Sequence, residues 1–337
     1  MNILVTGGAG FIGSNFIQYM LSKYDYTIVN LDLLTYAGNL QNLKDIEHEE
    51  RYHFVKGDIC DRVLLDKMFH KYDIQTVIHF AAESHVDKSL DDPETFLKTN
   101  VLGTQVLIDI AKKYWKVNKT DKYCMKYKEK TKYIQISTDE VYGALGKEGY
   151  FNEKTNLSPN SPYSVSKAAA DLMVRAYYKT YKFPAVITRC SNNYGPFQNT
   201  EKLIPLIISQ ALNNLPIPVY GDGEQVRDWL YVEDHCSAID SVLHNGRIGE
   251  VYNIGGNNEW KNIVLIKKIL NYLNIDESLI NFVEDRLGHD RRYAIDNMKI
   301  TSELGWSPFY DFDEGLENTI QWYLENTAWM SSVITKS

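Results

Sequence analysis

Tyr163 and Lys167 stand four positions apart, a spacing that places a phenol and an ammonium group on one face of a helix. Ser161 and Pro162 precede them, and these residue types are typical of an N-cap and a first helical position. An ammonium group beside a phenol favours the phenolate and lowers the phenol pKa from about 10. We therefore expect Tyr163 to act as a general base near neutral pH.

A second acid–base group follows the end of a predicted strand, where Ser137 leads into Thr138, Asp139 and Glu140. In a parallel sheet this edge is where ligands bind. Adjacent carboxyl groups make chemical sense there if one donates a proton while the other removes one. The candidate catalytic residues are therefore Thr138, Asp139, Glu140, Tyr163 and Lys167.

Residues 6–13 read TGGAGFIG, between a predicted strand and a predicted helix. Gly7, Gly10 and Gly13 have the spacing that lets backbone N–H groups approach a pyrophosphate at a helix N-terminus. Asp32 ends the next predicted strand, where a carboxylate accepts hydrogen bonds from ribose hydroxyls and repels a 2′-phosphate. The pattern predicts a dinucleotide site that prefers NAD to NADP.

Two further segments end predicted strands at the same edge. Asp58 and Ile59 are placed to bracket the adenine, and Lys167 is placed to hold the nicotinamide ribose as well as the phenol. The second segment, which ends the fourth strand, consists of Ala81, Ala82, Glu83 and Ser84.

Alternation of short apolar runs with helix-like segments predicts the elements that position these groups. The expected fold class is α/β, a Rossmann-type doubly wound parallel sheet with a smaller mixed C-terminal substrate lobe. We expect an NAD-binding domain over 1–190 and a substrate lobe over 191–337, with residues around 225–255 returning to the main domain. The predicted helix 14–22 follows the glycines, and the predicted strands are 2–6, 26–31, 53–55, 76–80, 133–137 and 185–189.

The composition limits the class of protein. The chain has 337 residues, 44% hydrophobic and 24% charged, with net charge −8, which argues against a collagenous or disordered chain and against bulk nucleic-acid binding. The four cysteines are isolated, so we expect no metal site, no disulfide framework and a cytoplasmic location. No apolar run is long enough to span a membrane, and the N-terminus lacks the pattern of a signal peptide.

Residues 112–132 form the one strong shift in composition, with nine lysines interleaved with aromatic residues. Lysines mixed with aromatics can bind single-stranded nucleic acid, and such binding would depend steeply on salt. A solvated helix end with a surface insertion is the expectation for a charge run of this kind. We therefore expect no nucleic-acid partner.

Taken together, the motifs resemble the extended short-chain dehydrogenase/reductases over residues 2 to about 326. The resemblance is most specific to the NAD-dependent branch that dehydrates nucleotide-activated hexoses, because of the Thr-Asp-Glu triplet and the sequence GHDRRY at 288–293. The other motifs that carry it are TGGAGFIG, Asp32, STDEVYG at 137–143, YSVSK at 163–167, NNYGP at 192–196 and RDW at 227–229.

The resemblance implies a 4,6-dehydration of dTDP-glucose on the way to a deoxysugar, rhamnose being the common one. Tyr163 would take the proton of the 4-hydroxyl as hydride leaves carbon 4 for NAD⁺, with Thr138 holding that oxygen. Glu140 would remove the hydrogen on carbon 5 as a proton, Asp139 would protonate the departing 6-hydroxyl, and the hydride would return to carbon 6.

The resemblance also implies further binding residues and a homodimer through helices near 94–113 and 163–179. The family usually has proline where this chain has Leu287. Cofactor residues implied in this way are Phe11, Ile12, Leu33, Leu34, Thr35, Thr99 and Asn193. Implied substrate residues are Ser84, Thr138, Asn192, Lys202, Leu203, Pro218, Tyr220, Arg227, Asn262, His289, Arg291 and Tyr293.

Other functions on the same fold remain open at this point. In a UDP-sugar 4-epimerase or a nucleotide-sugar decarboxylase, the Asp139–Glu140 pair would have no role in the reaction. A GDP-mannose-type dehydratase shares the chemistry but usually lacks an acid at the position of Asp139. A non-catalytic NAD-sensing scaffold often loses the Tyr or Lys of the YxxxK motif, and both are present here. No residue distinguishes thymine from uracil in the substrate.

Overall fold

The computed structural model describes residues 1–286 and 288–334, and its central feature is a seven-stranded parallel sheet. In chain order the strands of the protein are β1 (Asn2–Thr6), β2 (Thr27–Asp32), β3 (Tyr52–Lys56), β4 (Thr76–His79), β5 (Lys132–Thr138), β6 (Ala185–Cys190), β7 (Asn192–Tyr194), β8 (Ile217–Tyr220), β9 (Val226–Tyr231), β10 (Val251–Ile254), β11 (Glu259–Lys261) and β12 (Ile280–Val283).

Helices connect the strands, and short 3₁₀ segments lie at Leu40–Ile46, Asp139–Tyr142 and Glu277–Leu279. A π-helical turn, Leu97–Gly103, joins two of the helices. In chain order the helices are α1 (Phe11–Lys23), α2 (Arg62–Tyr72), α3 (Val86–Asp91), α4 (Pro93–Phe96), α5 (Thr104–Trp115), α6 (Pro162–Tyr181), α7 (Leu203–Leu212), α8 (Val232–Asn245), α9 (Asn262–Tyr272), α10 (Met298–Leu304), α11 (Phe312–Glu325) and α12 (Thr327–Ile334).

The strand order of the main sheet is β10-β6-β5-β4-β1-β2-β3. The chain therefore runs outward from β1 to β3 and then crosses back to β4, which leaves a switch point between β1 and β4 where open α/β sheets bind ligands. This is a Rossmann-type, doubly wound sheet, and the prediction of that fold is confirmed. All six predicted strands are present, with ends that differ by one residue at most.

Both faces of the sheet are covered by helices. On β1, Ile3 and Val5 face a core shared with α1 and α8, whereas Leu4 faces a second core shared with α2, α5 and α6. A strand buried on both faces needs apolar residues in succession rather than in alternation. That requirement explains the continuous run at residues 3–5.

After β6 the chain builds a smaller lobe. Strands β11, β9 and β7 form a mixed three-stranded sheet, β12 pairs with β8, and helices α7, α9 and α11 pack around a separate core. The chain then returns to the main sheet, because β10 pairs in parallel with β6 and α8 packs against α1. The division between residues 190 and 191 stays a prediction, and Leu287 lies outside the described residues.

Residues 112–132 end α5 and continue as a surface insertion. Lys116 pairs with Tyr127 in an isolated bridge, and its ammonium group donates to the carbonyls of Asp121 and Lys122. Most of the other lysines are exposed. In the part of the chain described, no helix is both long and apolar enough to cross a bilayer, all four cysteines are free, and no cluster of potential metal ligands is found.

Candidate active site

The glycine loop between β1 and α1 is packed so tightly that side chains do not fit. A Cβ on Gly13 would lie 2.4 Å from the carbonyl oxygen of Gly7, and a Cβ on Gly7, whose φ is +73°, would lie 2.6 Å from the backbone nitrogen of Ala81. Gly10 precedes α1 and provides no side-chain cap for its first turn. The free N–H groups there fit a pyrophosphate.

Asp32 is fixed at the end of β2 by two backbone N–H groups. Its carboxylate oxygens accept from Ala9 at 2.9 Å and from Leu34 at 2.8 Å. Burial raises the Asp32 pKa, while these two hydrogen bonds oppose the rise. The carboxylate is thus held in place at the strand end with acceptor capacity left for the hydroxyls of a ribose.

A cavity of about 340 Å³ opens at the carboxyl ends of the central strands. It brings together the five candidate catalytic residues and every predicted cofactor residue except Leu34. Of the predicted substrate residues, it brings in Ser84, Thr138, Asn192 and Lys202. The cofactor set comprises Gly7, Gly10, Phe11, Ile12, Gly13, Asp32, Leu33, Thr35, Asp58, Ile59, Ala81, Ala82, Glu83, Ser84, Thr99, Tyr163, Lys167 and Asn193.

The two carboxyl groups follow β5 in a short 3₁₀ turn capped by Thr138, whose hydroxyl accepts from the Glu140 N–H. The Thr138 hydroxyl also donates to Asp139 Oδ1 at 3.3 Å. The other oxygen, Asp139 Oδ2, is buried and has no hydrogen-bond partner among the described residues. An unpartnered buried oxygen in this cleft is placed to bond a ligand.

The two carboxyl groups have different surroundings, which shift their pKa values to different extents. Burial raises the Asp139 pKa well above its ordinary value, and the charges of Glu140 and Asp228 add to the rise. Burial also raises the Glu140 pKa, but the positive charges of Arg227 and Lys202 oppose it. Asp139 is therefore the group that keeps a proton, and Glu140 is the group that can take one.

The Tyr163 pKa is shifted in the direction opposite to the one expected from Lys167. Burial raises the Tyr163 pKa well above its ordinary value, and the charges of Glu140 and Asp139 act in the same direction. The Lys167 ammonium group donates instead to the carbonyl oxygen of Ile136, at 2.7 Å. The prediction that Lys167 lowers the Tyr163 pKa is wrong for this structure because burial and two carboxylates outweigh one ammonium group.

The helix that carries this pair begins as the sequence predicts. Ser161 caps α6, with Pro162 at the first helical position, and the Ser161 and Ser164 side chains form a reciprocal capping box. The capping box fixes the start of the helix, and with it the position of Tyr163 at the cleft.

Sequence reasoning missed two groups that support the site. Asp171 and Arg189 form a buried ion pair at 3.0 Å, and the Asp171 charge acts on Lys167. His235 bonds Asn193 Oδ1 through Nδ1 at 2.8 Å and so orients that amide. The spacing of Asp171, four residues after Lys167, is a signal for the first group. No sequence signal links His235 to Asn193, because α8 reaches β7 only through the fold.

Arg227 connects the second lobe to the carboxyl pair. Its guanidinium group donates to the carbonyl oxygens of Val226 and Asp290 and lies 4.5 Å from the centre of the Tyr293 ring. Its charge acts on Glu140. Arg227 and Tyr293 therefore lie against each other, with the Arg227 charge acting on Glu140, and their role in binding substrate stays a prediction.

The remaining predicted substrate residues are spread over the second lobe. Lys202 donates to the Ser84 carbonyl at 3.2 Å, which links the two lobes across the cleft. Arg291 pairs with Asp222 on the exposed surface and is not gathered into the cavity. Leu203 begins α7, Pro218 and Tyr220 lie on β8, Asn262 begins α9, and His289 is paired with Asp285.

Comparisons with known proteins agree on one kind of enzyme. The family model for GDP-mannose 4,6 dehydratase matches residues 4–319. The chain is 49% identical to a dTDP-glucose 4,6-dehydratase of Xanthomonas campestris, over 99% of this chain and 96% of that one. It is also similar to the structure of a dTDP-glucose 4,6-dehydratase from Bacillus anthracis in complex with NAD, with 51% identity, a TM-score of 0.89 and 99% of each chain covered.

A UDP-glucose 4-epimerase from Thermotoga maritima, solved with UDP-glucose, has nearly the same fold. Its TM-score is 0.86 over 97% of this chain and 100% of that one, but its identity is only 28%. The shared fold alone does not separate the two reactions.

The buried His235 predicts an acid-sensitive fold. Burial lowers its pKa to about 3, whereas an unfolded histidine titrates near about 6.5. Below about pH 6.5 the imidazole is protonated in the unfolded chain but stays neutral in the folded chain. The free energy of unfolding therefore falls as the pH falls. Urea unfolding at pH 7 and pH 5 measures this change. Between these two pH values, the free energy of unfolding of the His235→Gln variant should fall by about 2 kcal/mol less than that of the unmodified protein.

The matched control for this change is His48→Gln, since the His48 side chain is exposed. That variant should lose as much stability as the unmodified protein. Equal losses in the His235→Gln variant and the unmodified protein would show that the buried imidazole does not govern this response to acid.

Proposed function

We infer the function of this chain from the family to which it belongs, the GDP-mannose 4,6-dehydratases, and within them from its relatives that are dTDP-glucose 4,6-dehydratases. The chain is a dTDP-glucose 4,6-dehydratase that converts dTDP-glucose into dTDP-4-keto-6-deoxyglucose and water, with NAD as its cofactor. The observation that carries this conclusion is the pair of neighbouring carboxyl groups at the cofactor cleft, the buried Asp139 and the partly buried Glu140.

The residues of the glycine loop and the end of β2 fit NAD. The glycines let the loop pack closely against the start of α1 and the end of β4, so that the uncapped N–H groups of α1 can face a phosphate. Asp32 holds a ribose through its carboxylate, and Asn193, oriented by His235, lines the same cleft. When bound, NAD would supply the acceptor for the hydride of carbon 4 and the donor of that hydride to carbon 6.

Tyr163 removes the proton of the 4-hydroxyl during this oxidation, and Thr138 holds the same oxygen. Lys167 is tethered to the Ile136 carbonyl and places its ammonium group at the floor of the cleft. The Tyr163 pKa is raised mainly by burial and by two neighbouring carboxyl groups. A proton retained on Asp139 reduces that repulsion, so the acid form of Asp139 also helps Tyr163 to act as a base.

The elimination follows because a ketone at carbon 4 acidifies the hydrogen on carbon 5. Glu140 takes that hydrogen as a proton, and the bond electrons form the double bond between carbons 5 and 6. Asp139 gives its proton to the departing 6-hydroxyl, which leaves as water. As the hydride returns to carbon 6, Glu140 gives a proton that has exchanged with solvent to carbon 5. Tyr163 releases the proton of the 4-hydroxyl and Asp139 regains one, so two protons are taken and two are given in each cycle.

The second lobe retains the nucleotide through these steps. Arg227 is held by two carbonyl oxygens with its guanidinium plane on Tyr293, an arrangement that suits the oxygens of a diphosphate. Lys202, Asn192 and Ser84 lie where the cofactor cleft meets this lobe. These residues are proposed to bind dTDP-glucose together with Leu203, Pro218, Tyr220, Asn262, His289, Arg291 and Tyr293.

We also propose a homodimer formed through α5, α6 and the π-helical turn. Leu97, Leu102, Val165 and Leu172 are large apolar side chains that are roughly half exposed on these elements. Apolar side chains gathered on neighbouring helices are typical of a surface covered by a partner. A cytoplasmic location is the natural setting for four free thiols.

The function is tested by the mass of the product. The purified protein, supplied with NAD, should convert dTDP-glucose to a product lighter by one water, and UDP-glucose should react more slowly. A 4-epimerase would instead give a product of unchanged mass. Epimerised product, or no turnover of dTDP-glucose, would contradict the proposed function.

The Asp139→Asn variant tests the role of the acid. Turnover should fall by roughly 10²–10⁴-fold, the usual contribution of a general acid, because the leaving hydroxyl loses its proton donor. Water loss then becomes the slowest step. Deuterium at carbon 4 of dTDP-glucose should therefore no longer slow turnover in this variant.

Tyr163→Phe is the matched comparison, since it impairs the oxidation instead. Its turnover should show a full isotope effect from the same deuterated substrate. An isotope effect in Asp139→Asn as large as that in Tyr163→Phe would mean that Asp139 does not act in the elimination.

A further inference from the structure

A groove of about 770 Å³ lies at the outer edge of the main sheet, away from the cofactor cleft. Its floor is formed by Ala185 and Ile187 of β6 and by Val251 of β10, and one wall is the second half of α6. Residues 152–154 and α10 form the opposite wall. The groove is more than twice as large as the cofactor cleft and falls within the range of small-molecule sites.

The carboxylates of this groove all have donors of their own. Glu153 accepts from the Asn253 N–H, Glu250 pairs with Lys299, and Asp296 accepts from the backbone N–H of Met298. Glu303 accepts from Arg247 and from the Tyr252 hydroxyl. Glu250 and Glu303 are thus paired with cations, whereas Glu153 and Asp296 accept only from backbone N–H groups among the described residues.

The basic side chains of the groove differ in whether they form ion pairs. Arg247 and Lys299 use their charge on those carboxylates. Lys154, Arg175 and Lys179 also line the groove, yet none of them forms an ion pair within residues 1–286 and 288–334. The groove is therefore lined by five basic and four acidic side chains, and three of its cations are not engaged in ion pairs with any described residue, in a protein whose net charge is −8.

Tyr178 completes the wall between these cations. Its ring lies against Gly249, where a Cβ would come within 2.2 Å of it and where φ is +86°. Lys179 and Lys182 lie 5.6 and 5.4 Å from the centre of the same ring. The ring, with the apolar floor beside it, offers a surface for the uncharged part of a ligand.

We propose that this groove is a second ligand site, which binds a small organic phosphate or diphosphate. The three cations that form no ion pair within residues 1–286 and 288–334 are available to the oxygens of such a ligand, and Arg175 supplies the planar fork that suits phosphate oxygens. The floor of β6 and β10 and the Tyr178 ring receive its organic part. The site does not depend on the reaction proposed for the cofactor cleft.

The test uses radiolabelled inorganic pyrophosphate as the probe, in equilibrium dialysis with the whole NAD-loaded protein. The Lys154→Gln/Arg175→Gln/Lys179→Gln variant removes the three charges from exposed positions. Lys119→Gln/Lys122→Gln/Lys126→Gln is the matched control, because it removes the same charge from exposed lysines of the surface insertion. Any binding of pyrophosphate in the cofactor cleft should be the same in all three proteins. A difference in pyrophosphate binding between them therefore measures binding in the groove.

We expect the unmodified protein and the control to bind one more pyrophosphate per chain than the groove variant. If the variant still binds pyrophosphate in the groove, its affinity should be weaker by a factor of at least about ten. Thermal unfolding should confirm that all three proteins are folded. Equal binding by the three proteins, or binding lost equally in the control, would overturn the proposal.

Discussion

Two neighbouring carboxyl groups held in a buried cleft resist carrying a charge at the same time, and much of the site depends on this constraint. Burial raises the pKa of both Asp139 and Glu140, so the pair favours a state with one proton. Arg227 favours the ionised form of both groups, and Lys202 does so for Glu140. Asp228 further raises the Asp139 pKa, so the proton stays on Asp139. An acid and a base are thus available side by side.

The fold supplies the burial and the charges from different parts of the chain. Strand β5 ends at the switch-point edge of the sheet and places the pair beside the glycine loop. Helix α6 brings Tyr163 to the same place, and its capped start fixes that position. The two cations come from the second lobe, so the electrostatics of the carboxyl pair are complete only when both lobes are assembled.

Much of this arrangement could be predicted from local sequence. Continuous apolar runs gave the parallel strands, and glycine spacing with Asp32 gave the cofactor loop, because both signals depend on neighbouring residues. The sign of the Tyr163 pKa shift was not accessible, since it depends on burial and on charges that the fold brings together. The bond from His235 to Asn193 was missed for the same reason, as it joins α8 to β7. The exposed ion pair of Arg291 likewise depends on a loop, residues 221–223, far away in the sequence.

The most direct test of the account follows one hydrogen through a complete turnover. The protein is given dTDP-glucose with deuterium at carbon 4 in ordinary water, and the position of the label in the product is read by NMR and mass spectrometry. Transient oxidation with hydride return predicts that the deuterium appears on the methyl group at carbon 6, while the hydrogen at carbon 5 comes from solvent. Deuterium lost to solvent, or retained at carbon 4, would contradict the roles assigned to the buried pair and to Tyr163.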